Sequence, residues 1–66
     1  MNDIDKVKQF IEVVESFEMD FDEIGYNNRD LNGMDLITAN MADVLCQMRM
    51  NTRELLSVME NNHELA

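Results

Sequence analysis

The 66-residue chain lacks proline and tryptophan, and it contains only two glycines, Gly25 and Gly33, and one cysteine, Cys46. Proline interrupts helices because it removes a backbone donor and clashes with the preceding turn, so its absence leaves long helices possible. A single cysteine excludes a disulfide within the chain and fits a reducing compartment, so we expect a cytoplasmic protein. Together these absences favour a single all-α domain over residues 1–66.

Basic residues are also scarce: five lysines and arginines stand against 14 acids, and the formal net charge is −9. This balance argues against direct binding to nucleic acid phosphates or to an anionic membrane, and it permits a protein partner with a basic surface. No apolar run approaches the roughly 18 residues of a membrane span. We therefore expect neither nucleic acid nor membrane among the partners.

Residues that carry chemistry are few and isolated. His63 and Cys46 supply neither a nucleophile with an oriented base nor the three or four ligands of a zinc site. Residues 28–33 match the first six positions of a calcium-binding loop, but Ala39 stands where the bidentate glutamate is required. We predict no catalytic residue, no metal and no cofactor, and therefore no enzyme.

The first amphipathic segment predicts a helix from about residue 3 to residue 24, with Asp3 as its N-cap. Its apolar residues cover about half of the helix circumference, which is wider than one partner helix covers. Gly25 is expected to end the helix, because glycine tolerates the left-handed backbone conformation of a helix C-terminus. A loop over residues 25–33, dense in turn-forming residues, follows.

The second segment predicts a helix over about residues 34–60, with a frayed tail at 61–66. We expect Asp30 or Asn32 to cap its first turn. Asn51 followed by Glu54 resembles a capping box, so the alternative is a break into two helices near Met50. The apolar phase continues through this site without slipping, which favours one continuous helix.

Apolar residues of both segments form the surface that we expect to bind another protein or a second copy. On the second segment they include a row that recurs every seven residues, formed by Met34, Met41, Met48 and Leu55. The predicted interface residues are Val7, Phe10, Val14, Phe17, Phe21, Met41, Leu45, Met48, Leu55 and Met59.

Two further surfaces are candidates for binding. Small or flexible residues on a second side of the second helix would allow close approach of another helix, and these are Ala39, Ala42, Cys46 and Met50. Acids at spacings of three and four residues form an acidic edge on the first helix, with the members Glu12, Glu15, Glu18 and Asp22. Arg49 and Arg53, one turn apart, are candidates to pair with the acids of the first helix.

The fold class predicted from these patterns is an antiparallel helical hairpin that pairs into a dimeric four-helix bundle. The function predicted is that of a small non-enzymatic inhibitor, anti-factor or adaptor. It would bind a protein partner stoichiometrically and associate with itself. The alternative is an acidic DNA mimic, in which the acidic edge blocks the DNA-binding site of an enzyme or regulator.

Overall fold

The computed structural model describes residues 2–65, with side chains described for residues 2–62. Two helices pack against each other as a hairpin: α1 spans Asp3–Asn27 and α2 spans Met34–Leu65. The loop that joins them, residues 28–33, is too short to do more than reverse the chain direction, so the helices are antiparallel. The helical hairpin predicted from the sequence is confirmed.

Helix α1 begins at Asp3, and its N-cap is Asn2 rather than the expected Asp3. The Asn2 backbone is extended, and its Oδ1 atom accepts a hydrogen bond of 2.9 Å from the Asp5 amide. Asp3 instead lies in the first turn together with Asp5, where negative charge interacts favourably with the exposed amides of the helix N-terminus.

Gly25 does not end α1, which continues to Asn27. Gly25 lies on the side of α1 that contacts α2, and a Cβ atom added there would stand 2.8 Å from Thr38 Cγ2. The glycine is therefore explained by the close approach of α2. Asn28 is the C-cap of α1, and its amide and side-chain Nδ2 both donate to the Ile24 carbonyl.

The reversal of chain direction uses Gly33, whose φ of +85° lies in the left-handed region that L residues rarely adopt. Gly33 directly precedes α2, and its carbonyl accepts from the Ile37 amide. The residue at the start of α2 thus has no side chain with which to cap it. The expectation that Asp30 or Asn32 caps α2 is therefore wrong, because Gly33 occupies the capping position.

Helix α2 is continuous through Asn51, so the alternative break near Met50 does not occur. Thr52 lies against α1, and its hydroxyl donates to the Met48 carbonyl, which satisfies a polar group within the helix. The helix also runs past residue 60 to Leu65, five residues beyond the predicted end. The side chain of His63 lies outside the described part of the chain, as does Ala66.

Residues at alternating spacings of three and four line the contact between the helices. On α1 these are Ile4, Val7, Ile11, Val14, Glu18, Phe21 and Gly25, and all of them are at least partly buried. Only three side chains within residues 2–62 are buried: Val14 at 2% exposure, Leu45 at 6% and Ile11 at 7%. A core of this size gives a marginal domain.

The seven-residue row on α2 does not stay in this contact. Met34 and Met41 are half-buried, but Met48 is 38% exposed and Leu55 is 49% exposed. At the level of Leu55, the neighbouring Leu56 is the half-buried residue. A straight α-helix rotates a strict seven-residue repeat by about 20° per heptad, so the row moves away from α1 along the helix.

The hairpin is long and one layer thick, with principal extents of 53 × 18 × 10 Å. Its Cα radius of gyration is 15.5 Å, whereas a compact domain of this length has a radius of about 11 Å. Domains usually bury their apolar surface between two packed layers. This hairpin supplies only one.

Candidate docking surface

Of the 14 large apolar side chains that are exposed within residues 2–62, eight lie together beside the helix contact. Each of the eight is between 38% and 59% exposed. We call them the apolar face, and they are Phe10, Val13, Phe17 and Ile24 of α1 with Ile37, Val44, Met48 and Leu55 of α2.

These eight side chains lie on one side of the hairpin. At 100° per residue, they lie about 60–120° from the middle of the helix contact, in the same rotational sense on both helices. Because the helices are antiparallel, the same sense of rotation leads to the same side of the hairpin. The four residues of α1 and the four of α2 therefore form one continuous surface.

The opposite side carries the interhelical ion pairs, which we call the ion-paired face. Arg49 Nε donates to Glu18 Oε1 at 2.7 Å, and Arg53 Nη2 donates to Glu15 Oε1 at 3.3 Å. The hydrogen bond to Glu18, and then its negative charge, raise the pKa of Arg49 above its ordinary value. The pairing of these arginines with acids of the first helix, expected from the sequence, occurs within the chain.

The ion pairs change the acidic edge. Glu15 and Glu18 each face an arginine across the contact, so half of the edge is locally neutralised. Glu12 and Asp22 form no ion pair with any residue in the range 2–62. Glu12 also lies away from the other three, on the far side of α1 from α2, at 100° per residue. The four acids therefore do not form one uniform row.

The residues that border the apolar face are mostly uncharged. On α2 they are Asn40, Gln47 and Asn51, and on α1 Gln9 and Ser16 lie beyond Val13 and Phe17. The few charges near this side include Lys6, whose Nζ lies 3.9 Å from Asp3, and Asp20. Most of the acids within residues 2–62 therefore lie on other sides of the helices.

The predicted small-residue surface lies on the ion-paired side. Ala39, Ala42 and Met50 are exposed there, and Cys46 is half-buried. An open groove of about 370 Å³ runs between these alanines and α1, next to the close approach at Gly25. The Cys46 sulfur lies 3.7 Å from Arg49 Nη2 and 3.9 Å from Met50 Sδ.

The structure divides the ten predicted interface residues into two groups. Six lie in the helix–helix contact, at least partly buried: Val7, Val14, Phe21, Met41, Leu45 and Met59. Four belong to the exposed apolar face: Phe10, Phe17, Met48 and Leu55.

The remaining members of the apolar face were not among the predicted interface residues: Val13, Ile24, Ile37 and Val44. The sequence carries a signal for them, because all four lie on the apolar arc of their helix. What the sequence could not supply is which part of each wide arc the other helix covers.

Within residues 2–62, no three side chains of His, Cys, Asp or Glu are grouped so as to hold a metal ion. Neither α1 nor the described part of α2 is long and apolar enough to cross a membrane.

Comparison of the chain with protein-family models, with curated proteins and with solved structures found no match.

Proposed function

We propose that this chain is a non-enzymatic protein-interaction module that acts by stoichiometric docking of its apolar face onto another protein surface. The observation that carries the proposal is that eight exposed large apolar side chains are grouped on one side of a hairpin one layer thick. Soluble monomers rarely expose a continuous apolar patch larger than a few hundred Å². A second layer of protein would remove this patch from water.

The shape of the groove between the helices supports a non-enzymatic role. Substrate sites are usually enclosed clefts with convergent polar groups. The groove beside Ala39 and Ala42 is open and lies between helices with little depth. Arg49 and Arg53 are engaged by Glu18 and Glu15 and stabilise the hairpin itself. An inhibitor or adaptor needs a surface rather than a cleft.

Affinity capture with matched variants tests the proposal. The bait would be the wild-type chain, a face variant with Phe17→Ser and Val44→Ser, and a control with Met19→Ser and Met50→Ser. The control residues are exposed on the ion-paired side, one on each helix, so both variants lose two exposed apolar side chains.

We expect proteins retained by the wild type and by the control to be lost with the face variant. If all three baits retain proteins equally and the wild-type chain also does not associate with itself through the apolar face, docking uses another surface and the proposal is abandoned.

A further inference from the structure

The apolar face is large enough, and sufficiently free of charge, to accept an identical face. We propose that its occupant is a second copy of this chain, so that two hairpins pack face to face as a four-helix bundle. This inference rests on the proposed function, because it names the partner of the same surface. It is carried by three observations: the area of the face, its length, and the distribution of charge around it.

The area matches what a stable dimer requires. The eight side chains are each about half exposed. Two are phenylalanines with roughly 200 Å² each and six are smaller aliphatic side chains, so the eight offer about 600 Å² per copy, and the uncharged residues at the border of the face add to this area. A standard protein–protein interface buries about 800 Å² on each partner. Face-to-face packing of two copies would therefore produce an interface of ordinary size.

The length of the face also matches a second hairpin. Its residues extend from Phe10 and Leu55, toward the chain termini, to Ile24 and Ile37, close to the loop. A single short peptide would cover one row, on α1 or on α2. Two parallel rows of side chains along most of a hairpin fit another pair of helices, and a second copy has the same two rows at the same separation.

Charge provides the strongest restriction. Two chains of net charge −9 repel each other, so they can associate only where charges are few. The apolar face has this property, since its border is formed largely by Asn40, Gln47 and Asn51 on α2 and by Gln9 and Ser16 on α1. A strongly basic partner would find little to recognise here, because the acids that could attract it lie on other sides of the helices.

Sedimentation equilibrium of the purified full chain tests this inference across the micromolar range, together with two double variants. The face variant carries Phe17→Glu and Val44→Glu, and the control carries Met19→Glu and Met50→Glu. Both add two negative charges, one on each helix, at positions that are already exposed. We expect a mass of twice 7.7 kDa for the wild type and the control, and the monomer mass for the face variant.

Thermal unfolding gives a second measurement that does not require a folded face variant. The melting temperature of a dimer rises with protein concentration, whereas that of a monomer does not. We expect the wild type and the control to show this dependence. If the face variant fails to fold while the control folds, this dependence in the wild type still supports the dimer.

Three results would overturn the inference: a monomeric wild type, a melting temperature independent of concentration, or a dimer that the face variant leaves intact. None of these by itself removes the proposed function, which fails only if neither self-association nor capture of other proteins depends on the apolar face. A monomeric wild type whose apolar face captures a different protein would assign the face to that protein.

Discussion

On the ion-paired face of the hairpin, Arg49 and Arg53 reach across to Glu18 and Glu15, and water can solvate what remains. On the apolar face, the same two helices leave eight large side chains between 38% and 59% exposed. Charged groups are well solvated when exposed, whereas burial of apolar surface is favourable by about 25 cal/mol for each Å² removed from water. The ion-paired face therefore needs no further contact, whereas the apolar face adds to stability only when a second surface covers it.

Both faces depend on the helix–helix contact, so loss of a buried contact residue should have the largest effect. Leu45→Ala truncates one of the three buried side chains within residues 2–62, and such changes cost about 2–5 kcal/mol. For a hairpin this small, we expect most of the folded population to be lost. Urea denaturation followed by circular dichroism would measure it. Leu36→Ala, at an exposed position of the same helix, is the control and should change stability by less than about 0.5 kcal/mol.

The contrast between the faces predicts that one substitution has different effects on the two sides. Phe17→Ser on the apolar face should lower stability by about 2 kcal/mol per copy, since roughly 100 Å² of apolar surface no longer becomes buried on association. Met19→Ser, at a side chain 73% exposed on the other side, should have little effect. Melting temperatures at two protein concentrations would separate these outcomes. Equal effects of the two substitutions would show that the faces do not differ in function.

Spacing of the helices controls how the two faces are presented, and Gly25 sets that spacing near the loop. In Gly25→Ala, the added Cβ would meet Thr38 Cγ2 at 2.8 Å. Overpacking of this kind costs about 1–3 kcal/mol, against a gain of about 1 kcal/mol from the better helix propensity of alanine. We expect a net loss of about 1 kcal/mol in chemical denaturation.

A double-mutant cycle identifies the cause of that loss. Thr38→Ser removes the Cγ2 atom and keeps the hydroxyl that donates to the Met34 carbonyl. Combined with Gly25→Ala, it should recover most of the lost stability. If the double variant is as unstable as the sum of the single variants, the close contact is not the reason for glycine at this position.

The sequence alone predicted much of the fold. Apolar periodicity and the cluster of turn formers gave two helices, one loop and the continuous path of α2 through Asn51. Prediction from the sequence failed where the structure depends on how closely the two helices approach each other. Glycine is common both at helix ends and at close helix contacts, so Gly25 alone could not show that α1 continues to Asn27.

The candidate site was predicted only in part, for a related reason. The seven-residue row implied that Met48 and Leu55 share the environment of Met41, but the rotation of a straight helix brings the first two to the surface. A wide apolar arc states how much surface must be covered. It does not state which strip the neighbouring helix covers, because that depends on the register between the helices.

The smallest effects are expected from the ion pairs, because water can replace much of what exposed charges give each other. Arg53→Gln should change stability least, since Arg53 and Glu15 are both largely exposed and lie 3.3 Å apart. Arg49→Gln should cost more, because the Arg49–Glu18 hydrogen bond is 2.7 Å long and both side chains are partly buried. The more general consequence concerns salt: screening weakens the pairs on one face and does not weaken burial on the other. Raising the salt concentration should therefore reduce the difference in unfolding free energy between wild type and Arg49→Gln, as measured by denaturation at low and high salt. It should leave the difference between wild type and Phe17→Ser unchanged or larger, and the opposite pattern would reverse the roles of the two faces.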